Sequence, residues 1–217
     1  MPGKIPDPVF LYRIIHIDNL EHLLRKGICT RDHKHADPNY INIGDNGLIA
    51  ERTEHPVGID PPGGNIGDYV PFYFGPLSPM LLNIKTGQRG IKQRSQREII
   101  YICCKLDDVV DACEEWCFTD GHAINFRITE FYNDLDDLSE IDWNMVAQRY
   151  WRNQEDDMDR MRRKQAEFLV KSHVPVKCIA KVVVYDNSAL KKAESIIQKV
   201  KREIPVEVNP GNNYYYY

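Results

Sequence analysis

The stretch RMRRKQAEFLV occupies residues 160–170. Arg160, Arg162, Arg163 and Lys164 run into an apolar segment, residues 166–170, whose β-branched and aromatic content predicts a buried strand. Glu167 stands at its mouth. A carboxylate there is costly unless it is paired or used in chemistry. The basic run is either a solvated helix end or a grip on phosphates through charge-assisted hydrogen bonds.

Outward from this point the elements alternate without βαβ regularity. Downstream, residues 178–185 read as a strand, 189–202 as an amphipathic helix and 205–208 as a short strand; the four tyrosines at 214–217 read as an apolar plug. Upstream, residues 153–159 are acidic and 141–151 are predicted helical. A turn is expected at 119–122, a short helix at 107–113 and a buried strand at 98–106. Residues 69–74 (YVPFYF) predict a strand that Pro71 assigns to a sheet edge or a bulge, and Pro76 and Pro79 punctuate a loop after it. Residues 30–67 are polar and irregular, with one helical stretch at 47–54. Residues 10–15 form a first strand, followed by a helix with Asp18 as N-cap, Glu21 three residues on, and Gly27 as its stop. This order predicts a single α+β domain over residues 1–217.

Hydrophobic residues make up 42% and charged residues 28% of the 217, a soluble globular balance. No apolar run approaches the ~20 residues of a bilayer span. The opening MPGKIPD carries no signal core. Six cysteines without a secretion signal read as structural thiols in a reducing cytoplasm. Cys113 and Cys117, four apart, suit one helix face, and no second Cys or His pair nearby completes a zinc site. The net charge of −4 argues against bulk attraction of nucleic acid and leaves room for a local basic groove. Phosphate loops, the HExxH helix and the GxSxG elbow are absent. Two other segments stand out. In LYRIIHIDNL, residues 11–20, Arg13 and His16 lie at a strand-to-helix junction, where anions are held or a histidine simply packs. In DYVPFYFGPLSPMLL, residues 68–82, the aromatics either stack bases or fill a core.

Taken together, LYRIIHIDNL, ERT with HPV, PPGG, DYVPFYF, SPML, FTDGHA, RYW and QAEFLVKSHVP closely resemble the DarT family, in the same order from Leu11 onward. The resemblance implies an ADP-ribosyltransferase core with a split, mostly antiparallel sheet and peripheral helices. It implies transfer of ADP-ribose from NAD, as substrate and without metal, to a base in single-stranded DNA. Thymine N3 is the leading target; guanine, or silent single-strand binding, are the alternatives. The resemblance assigns catalysis to Arg52 and Glu167. It places NAD against Arg13, Ile14, Ile15, His22, Thr30 and Arg52. Arg13 stands where relatives open the NAD site, and His22 stands where they carry a short side chain.

On the same basis DNA meets Leu77, Ser78, Pro79, Met80, Leu81 and Leu82, with Leu77 in place of a common arginine and Leu82 of a tyrosine. It also meets Arg149, Tyr150, Trp151 and Arg152, and Met161, Arg162, Arg163, Lys164 and Gln165. A carboxylate at Glu167 stabilises the oxocarbenium-like ribose left by nicotinamide and accepts the proton of the base. Arginine is a poor base, so Arg52 is read as binding pyrophosphate or polarising a base carbonyl. A cytoplasmic toxin restrained by a DarG-like macrodomain antitoxin, with no membrane partner, completes the expectation.

Overall fold

Two periodicities organise the chain: strands that alternate between two cores, and helices that present one apolar stripe. The computed structural model describes residues 3–125 and 127–217; Met1 and Pro2 of the opening read above lie outside the described residues. In chain order the strands are β1 (Phe10–His16), β2 (Ile28–Cys29), β3 (Tyr69–Tyr73), β4 (Ile99–Lys105), β5 (Trp116–Thr119), β6 (Phe131–Tyr132), β7 (Glu167–Lys171), β8 (His173–Val174), β9 (Ile179–Val184) and β10 (Val206–Val208). The helices are α1 (Leu20–Lys26), α2 (Asn46–Glu54), α3 (Pro79–Thr86), α4 (Leu106–Val110), α5 (Trp143–Ala147), α6 (Arg160–Arg163) and α7 (Asn187–Lys199). Eight strands form one sheet in the order β10-β9-β4-β1-β3-β7-β5-β6. Its pairings are antiparallel except β10 with β9.

One face buries Leu11 and Ile15 of β1 and Val182 and Val184 of β9 against Leu20, Leu24, Ala189 and Ala193 of α1 and α7. The other buries Ile14, Tyr101, Cys103 and Val183 against Leu81 and Ile84 of α3 and Tyr214 and Tyr215. β4, central and covered on both sides, is accordingly apolar along almost its whole length.

The sheet is split between β1 and β3. β1 pairs with β4 over seven residues but with β3 only at Tyr12–Tyr73. Continuing that register would set Ile14 against Pro71, which has no N–H to give. Instead the Arg13 guanidinium donates to the Pro71 carbonyl at 2.9 Å. The proline was expected at an edge or a bulge; β3 is interior, with a lapse in its pairing to β1 beside the proline.

Other expectations are corrected. Asp18 does not cap α1: a 3-10 turn at Ile17–Asn19 precedes the helix, its Asp18 N–H donates to His16 Nδ1, and the Asp18 carboxylate pairs with Lys192 at 2.5 Å. The helix expected at 141–151 ends at Ala147, because Arg149 and Trp151 are drawn into contacts with residues 212–217. Cys113 and Cys117 share no helix; Cys117 lies in β5 and Cys113 in the turn before it. All six cysteines are free thiols. α3 arises where a loop was read: the Ser78 hydroxyl caps Leu81 N–H, and Pro79 takes the first helical position. No helix among the described residues is long and apolar enough to cross a membrane.

Candidate active site

Glu167 opens β7 opposite Tyr73, so both side chains rise from the same sheet face beside the split. Beneath them lies a small core of Val57, Ile66, Tyr69, Cys117, Ala123 and Leu169. Glu167 is 2% exposed. Its carboxylate takes Arg52 Nη1 at 2.9 Å on one oxygen and 3.3 Å on the other. Ala123 N–H adds a third bond at 3.1 Å. The turn supplying that amide is fixed to the strand through Thr119, whose hydroxyl donates to Gly121 O at 2.6 Å and accepts Glu167 N–H at 3.2 Å. Gly121 is required here, since a Cβ would fall 2.3 Å from Arg162 Nη1.

Arg52 comes from the last turn of α2. This helix buries no side chain of its own, so its position depends on its ends and one close approach. Asp45 caps it through Gly47 and Leu48 N–H, and Gly67 lets the 66–68 turn pack within a Cβ-free gap of Thr53 and the Arg52 carbonyl. Arg52 Nη2 is buried and has no hydrogen-bond partner among the described residues; Arg13 Nε is in the same state. Two unspent cationic donors beside a buried carboxylate suit an anionic, polyoxygenated ligand.

Tyr73 joins the group. Burial, reinforced by Glu167, raises its phenol well above the ordinary value, against the opposing pull of Arg52 and Arg13. The phenol therefore stays protonated and can donate. Burial likewise lowers His122, with Glu167 opposing the shift and Arg52 adding to it. Tyr73 and His122 lie in motifs quoted above, DYVPFYF and FTDGHA, but neither was given a role from the sequence. Tyr73 becomes visible only through the strand register, and the Ala123 amide through the turn geometry. No group of His, Cys, Asp or Glu among the described residues is arranged to hold a metal.

The structure thus brings Arg13, Arg52 and Glu167 to one opening. Ile14 and Ile15 flank it with their side chains in the two opposite cores, so it is their backbone that they present there. His22 and Thr30 lie apart. Thr30 N–H donates to Ser172 O, beyond the far end of β7 and roughly 17 Å along the strand from Glu167. His22 bonds the His35 carbonyl at 2.8 Å.

The residues read as a DNA grip divide. Leu77, Ser78, Pro79 and Leu81 are buried, whereas Met80 and Leu82 are half-buried. Tyr150 is 80% exposed and Trp151 only 7%. Arg149 is partly buried and Arg152 exposed. Met161 is exposed, and Gln165 bonds its carbonyl at 3.0 Å.

The basic run is corrected. Arg162 holds Asp159 through two 2.8 Å bonds and Asp120 through another. Arg163 is paired with Asp142 and Asp157. Lys164 is 1% exposed, and donates inward to Pro76 O at 2.7 Å and Val146 O at 2.5 Å; burial brings its ammonium down to about 7. These three side chains are spent on protein carboxylates and carbonyls and are not free for phosphates.

The mostly antiparallel sheet with its peripheral helices is an ADP-ribosyltransferase fold, as its match to solved DarT structures shows. The chain belongs to the DarT family: the family model described as "ssDNA thymidine ADP-ribosyltransferase, DarT" matches residues 12–216. A DNA ADP-ribosyl transferase of Escherichia coli O127:H6 is 34% identical, covering 97% of this chain and 95% of its own. DarT of Thermus sp. 2.9, solved with ADP-ribosylated ssDNA, superposes with a TM-score of 0.88 at 30% identity over 100% of both chains. The same protein solved with NAD+ gives 0.83 at 30% identity, covering 98% of this chain and 100% of that one. A DNA ADP-ribosyl transferase–DNA ADP-ribosyl glycohydrolase fusion protein of Thermosipho africanus is 26% identical over 92% of this chain and 48% of its own.

Proposed function

We propose that this chain breaks the nicotinamide–ribose bond of NAD and joins the freed ribose C1′ to N3 of thymine in single-stranded DNA. Nicotinamide leaves, and the N3 proton passes to Glu167 and on to solvent. The observation that carries this reading is the Arg52–Glu167 pair at the sheet opening, with Arg52 Nη2 unspent. NAD supplies an activated ribosyl group. Glu167 then offers negative charge where positive charge develops, in a site dry enough for that charge to count. Arg52 holds the carboxylate in place and turns its second nitrogen toward the diphosphate or a base carbonyl. Arg13 serves the same anionic ligand, the backbone at Ile14 and Ile15 lines it, and His22 and Thr30 receive its remote end.

The DNA strand enters between residues 77–82 and 149–152, with Arg149, Arg152 and the exposed ring of Tyr150 as its contacts. Thymine is preferred to guanine because the matching family model is the thymidine one. The same reading makes the chain a toxin of the cytoplasm with a DarG-like macrodomain partner that removes the modification; the glycohydrolase named in the fused relative supports the partner.

The test mixes the protein, NAD and a short oligonucleotide, followed by mass spectrometry. A gain of one ADP-ribose on thymine is expected. Modification of guanine replaces the target assignment, and binding without any gain in mass overturns the enzymatic reading.

A further inference from the structure

Residues 214–217 are four consecutive tyrosines, and each is engaged differently. Tyr214 and Tyr215 are 9% and 1% exposed. The Tyr215 hydroxyl lies 2.9 Å from Ile99 O and 3.1 Å from Val183 O, so one donor is shared between two strands. Tyr101 donates to Tyr214 O at 2.8 Å. The Gln96 side chain clasps the Tyr216 backbone in both directions, at 2.7 and 3.0 Å. The segment is therefore fixed to the sheet before its last two rings reach outward.

Those rings reach the two segments through which the strand is proposed to pass. The Tyr216 hydroxyl accepts Trp151 Nε1–H at 2.7 Å and donates to Leu77 O at 2.5 Å, with Ser78 O at 3.3 Å. Arg149 donates to Tyr215 O at 3.1 Å and to Asn212 O, and its guanidinium lies 4.6 Å from the centre of the Tyr217 ring. On the inner side Lys164 ties Pro76 to Val146. The two segments are pinned from below by an amine and from above by a phenol.

We infer that Tyr216 is a positioning residue for the nucleic acid: its hydroxyl sets the spacing between residues 77–78 and 149–151. Arg149 is held by carbonyls and a ring, with no carboxylate paired to it among the described residues, so it keeps a full positive charge in a fixed place. Such pre-ordering removes entropy that binding would otherwise have to remove. The inference rests on the reading that these segments meet DNA.

The test uses the full chain with Tyr216→Phe, Trp151→Phe and both together. Binding of a fluorescein-labelled, thymine-containing single strand is followed by anisotropy, and transfer from NAD is followed by mass. Tyr216→Phe keeps the ring and removes only the hydroxyl. It should weaken strand binding about five- to tenfold, raise the KM for DNA alike, and leave kcat and the KM for NAD within about twofold. The double variant should bind no worse than the weaker single one, because both break the same link. Unchanged binding in Tyr216→Phe while the wild type transfers overturns the clamp and spares the enzymatic reading. A fall in kcat at unchanged binding also overturns it. Binding that weakens as expected without transfer in the wild type leaves the clamp standing and removes the enzyme; a wild type that neither binds nor transfers removes both.

Discussion

The Arg52–Glu167 pair should be strongly asymmetric when broken from either side. Glu167 is 2% exposed at its side chain and Arg52 15%. Replacing Arg52 by Met keeps the aliphatic stem and strands a buried carboxylate with only the Ala123 amide, 3.1 Å away. Breaking a buried pair in this way costs about 3–5 kcal/mol, and the surviving amide places this case near the lower end, about 3. Glu167→Gln leaves a guanidinium that can turn toward water, at about 1 kcal/mol. For a domain of this size each kcal/mol moves the melting temperature by roughly 2–4 °C. Arg52→Met should therefore melt about 6–12 °C below wild type, and Glu167→Gln about 2–4 °C below. The double variant removes the stranded charge, so it should recover about 2 kcal/mol relative to the sum of the single losses. Thermal melts followed by circular dichroism without NAD read all four proteins. Strictly additive losses, or a Glu167→Gln variant less stable than Arg52→Met, would refute the argument that burial of the carboxylate governs the pair.

Four further outcomes are expected. Burial holds Lys164 at about 7, below its unfolded value of about 10.4, so between those limits the unfolded chain carries a proton the folded chain lacks. Stability from this site should be lowest and flat below pH ~7 and should rise toward pH ~10 by up to about 1.4 kcal/mol per unit; urea titrations should lose that rise in Lys164→Met. Arg149→Gln should weaken binding of all single strands and flatten the salt dependence by about 0.7 log units. Arg162→Gln should instead lower the melting temperature, and an unchanged melting point with a flatter salt slope would restore the basic run to the DNA. Residues 30–67, with α2 burying no side chain, should be cut by protease faster without NAD than with it; equal cutting would remove the idea of a cofactor-ordered segment.

What was legible in the chain followed periodicity. β4, β9 and α7 emerge from apolar runs and a clear amphipathic repeat, and Glu167 announces itself as an acid entering such a run. Proline was the first source of error. Pro71 reads as an edge and marks the lapse between two interior strands; Pro79 reads as a loop and begins a helix, although Ser78 before it is a good cap. Charge was the second. Arg162 and Arg163 look free in sequence, but their partners Asp120, Asp142, Asp157 and Asp159 come from three separate segments that only the fold assembles. Tyr73 carries no local signal, since its role follows from standing opposite Glu167 and Tyr12 in the register.

These corrections change where the molecule can meet a polyanion. A buried ion pair adds little stability over an apolar pair of the same shape, so the presence of Arg52 and Glu167 is better explained by the ligand proposed for them than by the fold they support. The opposite holds for Arg162, Arg163 and Lys164, whose donors are turned onto protein carboxylates and carbonyls. With a net charge of −4, the chain as a whole offers DNA no bulk attraction. Delivery then depends on cations beside the proposed entry that have no carboxylate partner among the described residues. Arg149 is held by carbonyls beside the strand's proposed entry, whereas Arg52 and Arg13 wait inside with one donor each unspent. A single strand, whose bases can be turned inward while its phosphates stay at the rim, fits that division; a duplex, with its bases already paired, does not.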